Sequence, residues 1–309
     1  MESIAKNSIL EFNPDTLQSL RRQYDLDKPG RIAEAIDLME EWIKKQQHFV
    51  VKSFPRDYLE RTIIISKGSV ERAKMKLDRI CTARTLYPYF FGVPNVKEVE
   101  LLKDILGAFV PKLTKEHNRI YALNNRAKAY PKGYRQMYQY FFMQCEYIQT
   151  YDYCNGLILF MDYREADLME ALKAFTLTDM RNAVNIIKEG YGMRIKGIHL
   201  LSESKAIDAL VVVLRQAFSA KVASRIVVHK TLDTLYEYIP KHLLPKDYGG
   251  DEKPLIELHE QFLDVLTSKE FTDYLSEMNK ACTNEELRMV TDQERFMGVP
   301  GSFRSLSVD

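Results

Sequence analysis

Most of the marks by which a sequence declares its chemistry are missing from this chain. No GxSxG elbow, HExxH helix, GxxxxGKS/T loop or DFG-type element occurs, so nothing points to a serine hydrolase, a zinc protease or a nucleoside triphosphatase. Cysteine is scarce: Cys81, Cys145, Cys154 and Cys282 form no CxxC pair, which suits reduced buried thiols and argues against a zinc ribbon or dithiol centre. The histidines, His48, His117, His199, His229, His242 and His259, share no metal-ligand spacing. No metal and no cofactor is expected. Charge of one sign is lacking too, because 44 Lys+Arg against 43 Asp+Glu leave a formal charge of +1, and that balance argues against a nucleic-acid partner. Apolar runs stay far below the roughly 18 residues of a spanning helix, and the opening MESIAKNSILEF has no basic start ahead of a long apolar core. The expectation is a soluble, cytoplasmic protein.

What is present is strongest between Gly190 and Gly250. Over residues 205–221, Ile207, Leu210, Val211, Leu214 and Phe218 keep the i, i+3, i+4, i+7 spacing of a helical stripe. Ala209, Val212 and Val213 add a second apolar flank, so this helix should be covered on two sides. Short, partly β-branched runs at 195–201 and 225–228 read as buried strands on either side of it. Strand, helix and strand make a crossover unit. Two readings of the helix stay open. It is a core crossover packed between a sheet and a neighbour, or a lid whose inner face touches an apolar ligand and whose outer face meets a membrane.

Upstream, a short helix at 17–24 is followed by helical spacing over 31–47 (Ile32, Ala35, Ile36, Met39, Trp42, Ile43), from about 56, and over 69–81. Residues 1–92 therefore read as an N-terminal helical bundle. Two prolines and a glycine in 87–94 mark its end, with aromatics that plug a joint. Residues 93–252 change period: 105–113 and 119–123 read as strands, 134–151 as an aromatic helix, 156–162 as a buried strand, 168–190 as a helix and 195–201 as a strand. Strands alternating with longer helices indicate an α/β domain with a mainly parallel sheet. Residues 253–309 supply an amphipathic helix at 255–278 and a polar, irregular tail.

Candidate reactive groups are few. Asp162, Glu165 and Asp167 form either a carboxylate cluster or the caps of a strand end and a helix start. His199 and His229 fall at corresponding places near the ends of two strands and can face each other as structural histidines. Arg194 and Lys196 share one side of a strand, and Lys221 and Arg225 share a helix face if the helix runs on. These four are a patch beside the lid or a scatter of solvated charges. Gly190, Gly192 and Gly197 miss the spacing of a dinucleotide loop and precede a strand instead of following one.

The run RIKGIHLL (194–201), the apolar helix, RIVVH (225–229) and LPKDYGG (244–250) together resemble the CRAL-TRIO (Sec14-like) family. Asn155-Gly156 with its strand is similar to the family's central strand, Val70-Glu71-Arg72-Ala73 to its N-terminal helical subdomain, and the tail Gly298-Val299-Pro300-Gly301-Ser302-Phe303-Arg304 to its insect members. The resemblance implies a helical bundle followed by a mainly parallel sheet flanked by helices around a closed lipid cavity. It also implies a carrier, not an enzyme, that exchanges one hydrophobic small molecule or lipid with membranes through a mobile lid and binds their surface reversibly.

By the same resemblance the cavity is lined from the aromatic helix by Met137, Gln139, Tyr140, Phe141 and Met143, and from the central strand by Leu157, Leu159 and Met161. Ala183, Ile186, Ile187, Tyr191 and Met193 belong to the next helix and its exit. Ile198 and the lid residues Ile207, Leu210, Val211 and Leu214 complete the wall. Tocopherol-carrying members place small hydroxyl residues where Gln139 and Met143 stand here, so another cargo is equally open. Arg194, Lys196, Lys221 and Arg225 match a phosphoinositide site, although Thr62-Ile63-Ile64-Ile65-Ser66 replaces the family's basic stretch and leaves Lys67. The alternative is a phosphoinositide-linked regulatory or protein-interaction module without lipid transfer, its pocket filled by residues such as Tyr134, Tyr138, Phe141 and Phe142.

Overall fold

A computed structural model describes residues 4–289. The stretch 298–304 and most of the expected tail lie outside the described residues. Four helices come first, α1 (Thr16–Gln23), α2 (Arg31–Lys45), α3 (Arg56–Ile65) and α4 (Val70–Leu86). Their apolar spacing becomes their packing: α2 buries Ala35, Ile36, Met39 and Ile43, and α3 and α4 close on it. Ser69 caps α4 by accepting the Arg72 amide. α4 outruns its expected end at 81 by more than a turn, because Ala83 and Arg84 are still buried.

The joint at 87–94 is filled as expected. Phe90 meets Tyr138 edge-on at 5.4 Å and Phe142 at 5.3 Å. Beyond it, β1 (Ile105–Leu113) pairs antiparallel with β2 (Asn118–Asn125), and β3 (Gly156–Asp162), β4 (Ile195–Leu201) and β5 (Ile226–His229) continue in parallel, in the order β1-β2-β3-β4-β5. α5 (Arg135–Tyr151) crosses from β2 to β3. The expected single helix at 168–190 is broken into α6 (Leu168–Ala174), α7 (Leu177–Asn185) and a π-helical turn Ile186–Gly190. Extended Phe175 and the cap Thr176, which accepts the Asp179 amide, start a new helix in place of a continuing one. Asp167 caps α6 through the amides of Met169 and Glu170, whereas Asp162 pairs with Arg164 at 2.8 Å, so the three carboxylates do not act as one cluster.

The apolar helix α8 (Ile207–Ala217) stops at extended Phe218, and a short α9 (Ala220–Ala223) follows. Lys221 and Arg225 therefore do not share a helix face. After α10 (Leu232–Tyr236), the amphipathic stretch at 255–278 is also two helices, α11 (Leu255–Leu266) and α12 (Lys269–Met278), because Ser268 caps the second by accepting the Phe271 amide.

One side of the sheet is closed by the LPKDYGG stretch: Phe160 packs on Tyr248 at 4.7 Å, and a Cβ on Gly250 would lie 1.9 Å from the Leu244 carbonyl oxygen. The same side carries His199 and His229, which do face each other, Nδ1 to Nε2 at 3.0 Å. Thr234 donates to Thr231 O and so accepts from His229 Nδ1, which leaves His229 Nε2 to accept from His199 Nδ1. A Cβ on Gly197 would lie 2.6 Å from the His199 ring; the glycine in RIKGIH makes room for the pair.

A buried ion pair ties the layers together. Arg84 Nη2 donates to Glu146 at 2.9 Å with both side chains 1% exposed. Tyr191 of the π-turn exit donates to the same carboxylate at 2.9 Å, Tyr274 of α12 at 3.3 Å, and Arg84 Nη1 reaches Ala281 O.

Two outcomes are expected. Arg84→Met should cost about 3–5 kcal/mol in urea unfolding, and adding Glu146→Leu should restore part of it, because a lone buried charge is worse than none. Burial, and next the His229 charge, push His199 down from its ordinary 6.5 to about 4, so the neutral pair stabilises fully above the unfolded value. Stability should fall by up to about 3 kcal/mol as pH drops from 6.5 to 4, with a shallower slope in His199→Asn, as read by thermal unfolding across pH.

Candidate functional site

The other side of the sheet carries the candidate cavity. Leu159 and Met161 pair with Tyr121 and Leu123 on β2 and with Ile198 and Leu200 on β4, so all six project to one side. Phe141 of α5 covers part of it, 4.9 Å from Tyr121. Ile207, Leu210, Val211 and Leu214 of α8 form one apolar core with Ile198, Leu200, Met180 and Val184. A second core joins the N-terminal helices, α5 and β1 to β3. Leu159 and Phe175 touch both cores, and around them lie Leu123, Leu159, Met161, Tyr138, Phe141 and Ile187, all partly exposed. On an inner strand under a helix such exposure marks an imperfectly filled seam, since native interiors are close-packed.

The expected wall residues divide along that seam. Ile198, Ile207, Leu210, Val211 and Leu214 sit in the α8 core, with Met161 packed on it. Met137, Met143, Leu157, Ala183, Ile186 and Met193 are in the larger core, with Phe141, Leu159 and Ile187 at its edge. Three are engaged elsewhere. Tyr140 is fully buried towards β1, where its hydroxyl donates to Gly107 O at 2.7 Å beside His259. Tyr191 donates to Glu146, and Gln139 gives its amide to Tyr89 O at 2.8 Å. Sequence spacing cannot separate these from their neighbours, because buried residues, polar ones such as Gln144 and Glu146 among them, occur on every face of α5.

The basic residues do converge. A cleft of about 440 Å³ is lined by Arg194, Lys196, Lys221 and Arg225 together with Lys67, Arg72, Lys76 and Lys188. Arg72 and Lys76 were missed, although their i, i+4 spacing in the VERAKMK run puts them on one face of α4. Burial, and then the charges of Arg194, Arg225, Lys67 and Lys221, hold the Lys196 ammonium below the ordinary lysine range. The one acid in the cleft, Glu189, is paired with Arg79 and Lys188. Arg194 is partly a brace: it lies over the Tyr24 ring at 5.1 Å and donates to Asn155 Oδ1 at 2.9 Å. A crowd of cations with so little counter-charge has the electrostatics to attract an anion. Phe218, Ser219 and Val222, at the exit of α8, line the same cleft.

A larger cleft of about 900 Å³ lies at Ile4 to Ser8 against α3, α5 and α12. Its charges compensate one another, Arg21 with Glu60 and Arg61 with Asp57. Among the described residues, no three His, Cys, Asp or Glu come together in a way that would hold a metal ion, and no helix is long and apolar enough to cross a membrane.

The chain is similar to several known proteins. The model of the CRAL/TRIO domain matches residues 106–250. An α-tocopherol transfer protein-like protein of Mus musculus is 23% identical over 270 residues, 84% of this chain and 76% of that protein. Clavesin-2 of Homo sapiens is 30% identical over 97 residues, 31% of this chain and 29% of its own length. The solved structure titled "Crystal structure of Sfh5" aligns with a TM-score of 0.47 at 13% identity, over 87% of this chain and 98% of that one. With a mostly parallel five-stranded sheet, helices on its open side and a CRAL/TRIO match across it, the chain carries a CRAL/TRIO domain over residues 106–250.

Proposed function

We propose that the protein carries a single hydrophobic small molecule, an isoprenoid or other lipid such as a tocopherol, retinoid, carotenoid or terpenoid, between the sheet and α8, and exchanges it with membranes when α8 swings away. The observation that carries this reading is the partial exposure of Leu159 and Met161 on an inner strand beneath a helix that would otherwise seal them. Burying a cargo of about twenty carbons is worth on the order of 16 kcal/mol relative to water, at about 0.8 per methylene. A bilayer offers nearly the same, so transfer is close to balanced and selectivity falls to cavity shape and a few hydrogen bonds.

The outer face of α8 suits contact with a membrane. Val212 is 54% exposed while Ile207, Leu210, Val211 and Leu214 point inward. The basic cleft at the end of α8 supports docking on an anionic surface, with a phosphoinositide headgroup as its occupant. Each cation adds about 1 kcal/mol there, enough to dock the protein without anchoring it. The alternative of a regulatory or interaction module draws support from the aromatic filling of the seam, where Tyr134 stacks on Phe175 at 3.9 Å.

The deciding experiment is solvent extraction of protein purified from its native tissue, followed by mass spectrometry. One stoichiometric apolar compound is expected; nothing bound, with no uptake from liposomes, would sink the carrier in favour of the interaction module. For the cleft, Lys196→Gln with Lys221→Gln should weaken binding to phosphoinositide-containing vesicles roughly thirtyfold, at about 1 kcal/mol each. Equal sedimentation with both kinds of vesicle, and for both proteins, would remove the phosphoinositide reading.

A further inference from the structure

Three hydroxyls at the seam lack a proper partner; that of Tyr134 is buried without a hydrogen bond while its ring is covered by Phe175. Tyr138 Oη is buried and makes no hydrogen bond. Tyr163 Oη reaches only the Met161 sulfur, at 3.8 Å, and a thioether is a weak acceptor. Other buried tyrosines nearby are committed: Tyr140 to Gly107 O, Tyr191 to Glu146, Tyr130 to Asn125 Oδ1 at 3.0 Å. A desolvated donor without an acceptor is costly, and native interiors satisfy nearly all of theirs.

Their position fits the gap. Tyr138 stands on α5, partly exposed, beside Tyr134, whose ring stacks on the seam residue Phe175. Tyr163 follows β3 and belongs to the α8 core, with partly exposed Met161 next to it. The carboxylate of Asp179 is on the same side, accepting from Tyr89 at 3.1 Å, and the Tyr89 ring packs on Phe90, which meets the Tyr138 ring at 5.4 Å. An anionic headgroup brought to Tyr138 would face that carboxylate. A neutral oxygen would satisfy the donor and meet no charge.

Building on the carrier reading, we infer that the cargo's polar end rests against Tyr138 and Tyr163, which select a neutral lipid with a hydrogen-bond acceptor at one end over a free fatty acid. Ketones, aldehydes, esters and alcohols fit; a carboxylate does not. Gln139, with its amide engaged by Tyr89 O, leaves the role to its neighbour.

The test is displacement of a fluorescent polyene from the full-length protein by three matched compounds delivered from vesicles: heptadecane, 2-heptadecanone and heptadecanoic acid at pH 7.4. The ketone should bind best. Tyr138→Phe should weaken the ketone about fivefold, the worth of one neutral hydrogen bond, and leave the alkane unchanged. Tyr163→Phe should act in the same direction. Because Tyr138→Phe removes an unsatisfied group, the ligand-free variant should melt no lower than the parent, whereas a purely structural hydroxyl would lower the melting temperature. An unchanged ketone preference in both variants, or tightest binding by the acid, would overturn the proposal with the carrier intact. Failure of all three compounds, alkane included, would overturn the carrier reading and this one with it.

Discussion

The Arg84–Glu146 pair is the contact through which the rest of the molecule is registered. Two opposite charges with no access to water are tolerable only when they are well paired and further hydrogen-bonded; of the Arg84 nitrogens, Nη1 and Nη2 are engaged and Nε is not. Each engagement here recruits a different part of the chain: α4 supplies the arginine, α5 the carboxylate, the exit of the π-turn Tyr191, and the C-terminal helices Tyr274 and Ala281 O. The sheet domain is thereby bolted to helices that precede and follow it. Arg119 does the same at the opposite end, holding Asp152 with two hydrogen bonds and reaching back to Pro111 O and Glu11 O.

Rigidity on that side makes the asymmetry across the seam intelligible. The larger core is held by ionic and hydrogen-bonded struts, while the α8 core rests on apolar contacts with Ile198, Leu200, Met180 and Val184. Apolar contact is non-directional and is recovered in a bilayer or against a lipid. An element held that way can part from its neighbour without stranding polar groups. The His199–His229 hydrogen bond joins the strand that enters α8 to the strand that follows it, so the two ends of this crossover are tied to each other. The basic cleft lies where α8 ends, at Phe218 and Ser219.

Strand positions were legible because a buried parallel strand has to be a short continuous apolar run: 156–162 and 195–201 coincide with β3 and β4. Helix breaks were not. At Phe175-Thr176 and Thr267-Ser268 the apolar period continues across the break, and a single capping hydroxyl decides the outcome. The basic patch was half legible, since Arg194, Lys196, Lys221 and Arg225 are close in sequence, whereas Arg72 and Lys76 arrive from a helix more than a hundred residues away. The apolar residues expected at the wall fall into two cores, a division that spacing does not show. Tyr138 and Tyr140 are two apart on one helix, yet one hydroxyl is orphaned at the seam and the other bound to Gly107 O behind it.

By itself, the sequence determined the order of the strands, the mainly parallel sheet, the apolar character of α8 and the CRAL/TRIO domain. All of these follow from local period and short motifs. Only the tertiary structure decided which tyrosines are satisfied, which cations share a cleft and where two cores fail to merge. Those properties depend on the directions side chains take once distant segments meet, and a one-dimensional pattern holds no record of direction.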